Sequence, residues 1–203
     1  MSGSGTNLQA ILDQVHGRDA VEVVGVASSK PGVRALERGR LAGVATAVFD
    51  AGDYEDRAAR DGELADWIDG LGADLVVLAG FMQLLSPSFL RRFPGRVINV
   101  HPSLLPAFPG VHPIEDQLAY GVRVGGATIH YVDEGVDTGP IIMQEAIPLP
   151  DTDDPEQVRE LVHGIEHRLL PRAIHLIALG AVRLDRHNPR LVHVEDSRLE
   201  AQQ

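Results

Sequence analysis

Two polar residues stand two apart in an otherwise apolar run, Val97-Ile98-Asn99-Val100-His101. On a strand, residues at i and i+2 point to one face, so an amide and an imidazole would be presented together. Pro102, Pro106 and Pro109 follow and forbid a helix from continuing the strand. The pair therefore sits at a strand's carboxyl end, the end at which open α/β sheets bind ligands. An Asn amide can donate to a developing oxyanion, and a His can donate or relay a proton. Asp137 lies in the turn-rich acidic run Asp133-Glu-Gly-Val-Asp-Thr-Gly-Pro140 and offers a carboxylate that would favour a charged imidazole. No Ser, Cys or Lys stands out as a covalent nucleophile, so the set points to direct attack on a carbonyl carbon by a substrate amine or by water. Each residue also has a plainer reading: Asn99 as strand filler, His101 as a core imidazole satisfied by backbone, Asp137 as a turn former.

A second candidate is the run Met1-Ser-Gly-Ser-Gly-Thr-Asn7, which leads into Leu8, Ile11, Leu12 and Val15 at helical spacing. Glycines and hydroxyls ahead of a helix offer N–H groups and a favourable dipole to a phosphate. The run is neither the Lys-bearing P-loop nor the full dinucleotide fingerprint. A flexible terminus is its plain alternative.

The elements that must position these residues alternate. Residues 21–27, 45–49 and 74–80 read as strands, the last covered on both faces. Residues 33–41, 54–71 and 86–93 read as helices, the last capped by Ser86 with Pro87 in its first turn. A short helix over 114–120 precedes strands over 127–132 and 141–149, which the acidic loop joins as an antiparallel pair. Asp153, Asp154 and Pro155 open a long helix carrying Val158, Leu161, Val162, Ile165, Leu169 and Leu170, which Pro171 is expected to kink or split. Residues 181–185 and 190–194 suggest a terminal hairpin, with a mobile tail after Glu195. The expected fold is α/β: a doubly wound, mostly parallel sheet with helices on both faces and an antiparallel C-terminal part. One domain would span 1–203, with a nucleotide-binding-like half over 1–110, a loop and long-helix half over 111–180, and the hairpin and tail over 181–203.

Composition narrows the function. The 203 residues include no cysteine, which excludes disulfides, thiolate zinc sites and cysteine nucleophiles. A net charge of -11 argues against a nucleic-acid or anionic-membrane binder, whose field has the opposite sign. No apolar run has the length of a membrane span and no signal peptide is evident, so the expected compartment is the cytoplasm.

Four stretches together, Ser-Gly-Ser-Gly-Thr-Asn-Leu-Gln-Ala, Leu-Ala-Gly-Phe-Met-Gln-Leu-Leu-Ser-Pro, Asn-Val-His-Pro-Ser-Leu-Leu-Pro-Ala-Phe-Pro-Gly and Val-Asp-Thr-Gly-Pro-Ile, resemble the folate-dependent formyltransferases, most closely the phosphoribosylglycinamide formyltransferases. The likeness runs in register over residues 2–179. It implies transfer of a formyl group from 10-formyltetrahydrofolate to the amine of glycinamide ribonucleotide, with no metal, by a monomer or homodimer acting on small molecules.

The resemblance also implies roles. Asn99 would hydrogen-bond the formyl oxygen. His101 would be its charged partner and general acid, and Asp137 would keep His101 protonated and hold a proton-carrying water. Gly5, Thr6, Asn7, His163 and Glu166 would take the ribonucleotide. Met82, Gln83, Leu84 and Leu85, with Asp133, Glu134, Gly135, Val136 and Asp137, would wrap the pterin beside Asn99. Arg57 would pair with the folate glutamate tail, and the Leu105–Pro106 peptide would be cis.

Two departures stand out. The family often has a basic residue where Gln83 stands. It also places an apolar central strand immediately before the Ser-Gly-Ser-Gly loop, whose last position Met1 takes. That first central strand is thus expected to be missing from this chain, and the natural protein to start upstream.

Rival readings share parts of the pattern. Formyltetrahydrofolate deformylase and methionyl-tRNA formyltransferase share Asn-x-His-x-Ser, but normally carry an N-terminal regulatory domain and a basic C-terminal domain respectively. His163-Gly-Ile-Glu166-His167 matches a zinc metallopeptidase pattern. A non-catalytic nucleotide-binding remnant is the last alternative.

Overall fold

The computed structural model describes residues 4–18 and 20–195. Four strands form a mixed sheet in the order β3 (Val76–Leu78), β4 (Val97–His101), β5 (Val124–Tyr131), β6 (Ile141–Pro148). The first pair is parallel and the other two are antiparallel. A separate parallel pair joins β1 (Gly25–Ser28) to β2 (Ala45–Val48), and β7 (Val182–Leu184) and β8 (Val192–Val194) make the expected terminal hairpin. Helices α1 (Thr6–Gln14), α2 (Arg34–Leu41), α3 (Arg57–Gly70), α4 (Pro87–Arg92), α5 (Pro113–Tyr120) and α6 (Pro155–Ala178) alternate with the strands. The α/β class and the antiparallel second half agree with the periodicity. Residues 1–3 of the glycine loop and the tail after Glu195 lie outside the described residues. Among the described residues no helix is long and apolar enough to cross a membrane.

Local chemistry sets the helix boundaries. Ser86 Oγ accepts the Phe89 N–H at 3.3 Å and Asp154 accepts the Glu156 N–H at 2.9 Å, each just ahead of a proline in the first turn. The helix expected from residue 54 begins at Arg57 instead, because Asp56 caps it through the Ala59 N–H at 2.8 Å. The long helix packs Val158, Val162, Ile165 and Leu170 on Ile98, Ile129 and the rest of the main core. Ile98 and Val100 thus fix β4 to the core on one face, which leaves Asn99 and His101 on the other.

Two expectations need correction. Pro171 does not split α6, which runs unbroken from Pro155 to Ala178. Proline has no N–H for the His167 carbonyl one turn back, and Gln14 Nε2 donates to that carbonyl at 2.9 Å instead. A defect in one helix thereby ties it to α1.

The strands expected over 21–27 and 74–80 are also shorter than the apolar runs. Among the described residues β1 has only β2 as a sheet neighbour, and β3 only β4. Between the two sheets lies a cavity of about 570 Å³, lined by Val24, Val26, Leu75 and Val77, with Leu64 and Trp67 alongside. Without a ladder partner on that side, residues 21–24 form no strand, and all of β3 is half-buried rather than covered on both faces.

Candidate active site

At the carboxyl end of β4 a second cavity of about 510 Å³ takes in Asn99, His101, Asn7, Arg57, Glu166 and His163, together with residues 82–85 and 133–137. Nearly all the residues singled out in the sequence therefore converge. Gly5 and Thr6 are the exceptions, since they border the cavity only through their neighbour Asn7.

The centre is built by strand register. Asn99 on β4 stands opposite His130 on β5. His130 Nδ1 lies 2.9 Å from the Tyr131 carbonyl oxygen, which can only accept, so Nδ1 carries the proton. Burial pulls the His130 imidazole below its ordinary value. The Tyr131 carbonyl and Asp137 act against that shift, and His101 adds to it. In the neutral ring Nε2 is a bare acceptor, and it lies 3.3 Å from Asn99 Nδ2. One Asn99 N–H is thereby spent on His130, and the amide plane is set.

His101, only 3 % exposed, donates from Nε2 to the Phe108 carbonyl at 2.8 Å. Its Nδ1 faces Asp137 Oδ2 at 3.4 Å. The proline-rich turn supplies that anchor, and Ser103 Oγ steadies it by donating to the Ala107 carbonyl at 2.6 Å. The Leu105–Pro106 peptide within the turn is cis. Asp137 sits in the left-handed region at φ 52°. It accepts the Gly110 N–H at 2.8 Å, and its other oxygen lies 3.6 Å from His130 Nε2. A carboxylate thus stands between two imidazoles, one of them held neutral by burial.

At the far wall, α1 starts from Gly5 at φ 71°, where a Cβ would lie 2.8 Å from the Ala35 backbone, so only glycine fits. Asn7 Nδ2 donates to Glu166 Oε2 at 2.8 Å. Asn7 Oδ1 is buried without a protein partner among the described residues, an unspent acceptor at the cavity edge. Burial pushes the Glu166 carboxyl above the usual carboxylate range, against the Asn7 hydrogen bond and the nearby His163 and His101. His163 and His167 stack, with ring centroids 5.9 Å apart and planes at 16°. Those two rings and the Asn7-bound Glu166 do not converge on a point, and among the described residues no trio of His, Asp or Glu is placed to hold a metal.

The loop over 81–86 presents Met82 and Leu84 as an exposed apolar rim. Gln83 also borders the cavity, and its side-chain oxygen accepts from Arg60. Arg57, in the first turn of α3, lies exposed at the mouth.

Three residues that shape the site escaped the sequence: His130, Arg60 and Asp61. His130 becomes visible only through the β4–β5 register, since nothing local links it to Asn99.

Residues 1–174 match the model of the family described as formyl transferase. The chain is 44% identical over 181 residues to a phosphoribosylglycinamide formyltransferase of Mycobacterium tuberculosis, covering 89% of this chain and 84% of that protein. It is 45% identical over 188 residues to a trifunctional purine biosynthetic protein adenosine-3 of Drosophila pseudoobscura pseudoobscura. There it covers 90% of this chain but spans only 14% of the longer relative. Its fold superposes on the crystal structure of glycinamide ribonucleotide transformylase 1 from Symbiobacterium toebii with a TM-score of 0.91 at 45% identity, over 96% of this chain and 91% of that one.

Proposed function

The chain belongs to the formyl transferase family, and from that premise we propose that it moves a formyl group from 10-formyltetrahydrofolate to the amine of glycinamide ribonucleotide. One observation carries this reading. An amide donor oriented by His130 and an imidazole facing Asp137 share a cavity with the buried, unspent acceptor of Asn7. The named relatives supply the substrates.

The roles follow from the donors. As the substrate amine attacks the formyl carbon and the new C–N bond forms, the second N–H of Asn99 donates to the oxygen taking up charge. His101 has Nε2 fixed on the Phe108 carbonyl, so Nδ1, which faces Asp137 at 3.4 Å, is the nitrogen that serves as the charged partner and general acid. Asp137 backs that imidazole and holds a water that carries the amine proton to the leaving folate nitrogen as its bond to the formyl carbon breaks. No residue of this chain forms a covalent intermediate.

The walls are divided between the substrates. Gly5 and Thr6 offer backbone N–H groups at the α1 N-terminus to the ribonucleotide phosphate, while Asn7, His163 and Glu166 bind the rest of that molecule. Residues 82–85 and 133–137 enclose the pterin, and Arg57 meets the acidic folate tail. A cavity of about 510 Å³ is within the usual range for a small-molecule site. No metal is required. We place the enzyme in the cytoplasm as a monomer or homodimer, with no nucleic acid or membrane among its partners.

The test is the absorbance change on release of the folate product, followed with glycinamide ribonucleotide supplied and then omitted. The reading predicts turnover only when the amine is present. Turnover without it would mark a deformylase.

A further inference from the structure

We propose that the buried Arg60–Asp61 pair is the positioning element of the 81–86 loop, and through it sets the affinity of the folate cleft. This rests on the assignment of that loop to the folate co-substrate. Consecutive helical residues do not normally face each other, yet both are turned inward from α3, Arg60 at 4% and Asp61 at 0% exposure. One Asp61 oxygen accepts from Arg60 Nε at 2.9 Å and from Nη2 at 2.6 Å.

The second oxygen of the carboxylate and the other terminal nitrogen of the guanidinium reach the loop. The second Asp61 oxygen accepts the Ser86 N–H at 2.6 Å, and Arg60 Nη1 donates to Gln83 Oε1. The guanidinium also lies 6.0 Å from the Phe81 ring centroid, within cation–π range. The loop is thus held at its first, middle and last residues, and the residues between them line the active-site cavity.

Neither Arg60 nor Asp61 lines that cavity, so both act through the loop. A buried ion pair is seldom the most stable filling of its space, and its best use is to specify one arrangement. Here the arrangement is that of the loop. A consequence concerns Gln83: with its side-chain oxygen committed to Arg60, it serves a ligand through its backbone. The loop's recognition is therefore built from main-chain groups and the apolar Met82 and Leu84 rather than from a side-chain charge.

The test is steady-state kinetics with both substrates varied, on wild type, Asp61→Asn, Arg60→Lys and Gln83→Leu, with hydrogen exchange of the 81–86 amides on the same proteins. Asp61→Asn and Arg60→Lys are expected to raise KM for the formyl-folate by about tenfold, as loss of one buried charge-assisted hydrogen bond would. KM for the ribonucleotide and kcat should stay within about twofold on the same reasoning. Exchange at Ser86 should accelerate in Asp61→Asn. Gln83→Leu leaves the ion pair intact and should give a smaller rise of the same kind, which keeps the test open if a pair variant does not fold. Equal losses in all parameters, or a lower Tm with unchanged folate KM, would overturn the proposal. If wild type fails to turn over these substrates, the functional reading falls, while the exchange data still judge the positioning role.

Discussion

Asn99 Nδ2 and His130 Nε2 meet at 3.3 Å across two antiparallel strands, and the Tyr131 carbonyl fixes the direction of that hydrogen bond by holding the His130 proton on Nδ1. Because His130 is 1% exposed and burial lowers its pKa in favour of the neutral ring, the Asn99 amide, the proposed oxyanion donor, is oriented before any substrate arrives. Pre-orientation of this kind is where an enzyme gains transition-state stabilisation without reorganisation at the moment of reaction.

Replacing His130 by Leu removes the acceptor while keeping an apolar filling of the site. Asn99 then loses its orientation, and kcat should fall by about tenfold, some 1.4 kcal/mol of barrier, with smaller changes in either KM. Steady-state kinetics checks this. An unchanged kcat would mean that Asn99 is held by something else.

Asp137→Asn should separate folding from chemistry. Asparagine tolerates the left-handed backbone at φ 52°, and its side-chain oxygen can still accept the Gly110 N–H. The thermal midpoint should therefore hold, while turnover falls by about a hundredfold or more, the scale of a lost acid–base partner. Calorimetry alongside the rate assay decides, and a variant with normal turnover would remove Asp137 from the mechanism.

Glu166 gives a pH signature. Its native carboxyl is pushed above the usual range, chiefly by burial, so the folded state holds that proton more tightly than the unfolded chain. The stability this contributes is complete in acid, below the ordinary carboxylate value of about 4.3. It is lost as pH rises through the raised native value. Glu166→Gln keeps an acceptor for Asn7 Nδ2 and has no charge to bury. Denaturant midpoints should favour the variant increasingly from acid to neutral pH, whereas a pH-independent difference would refute the burial argument.

The cavity between β1 and β3 predicts a stability gain. Among the described residues the facing edges of β1 and β3 have no ladder partner, so an added apolar segment of five aliphatic residues would have those edges and an apolar lining to occupy. Burial at roughly 1.5–3 kcal/mol per side chain sets an upper scale that should raise Tm by about 10 °C or more. Trp67 lines the cavity, so its emission should shift to the blue. An extension that moves neither signal would show that the cavity does not accept a strand.

The fold was legible where periodicity carries it. Alternating runs located nearly every strand and helix, and the i, i+2 spacing of Asn99 and His101 put both on one face before any register was known. Asp137 was legible as a carboxylate on a turn, but not its seat between two imidazoles, because that depends on where β5 lies beside β4. The same holds for His130, whose role is a matter of register alone. Arg60 and Asp61 escaped because adjacent charges on a helix normally mark a solvent face, and only the packing of α3 on the 81–86 loop reverses that. Pro171 misled for a similar reason: the donor that completes the His167 carbonyl comes from Gln14, 153 residues away in the chain.

Asn99 is proposed to stabilise charge on the transferred formyl oxygen, and on that role the mechanism turns. The most direct measurement is kcat for Asn99→Ala with saturating formyl-folate and glycinamide ribonucleotide, on protein shown to be folded. Loss of an oxyanion donor predicts a fall of about 10²–10³, with His101 and Asp137 intact. Turnover close to that of wild type would contradict the account.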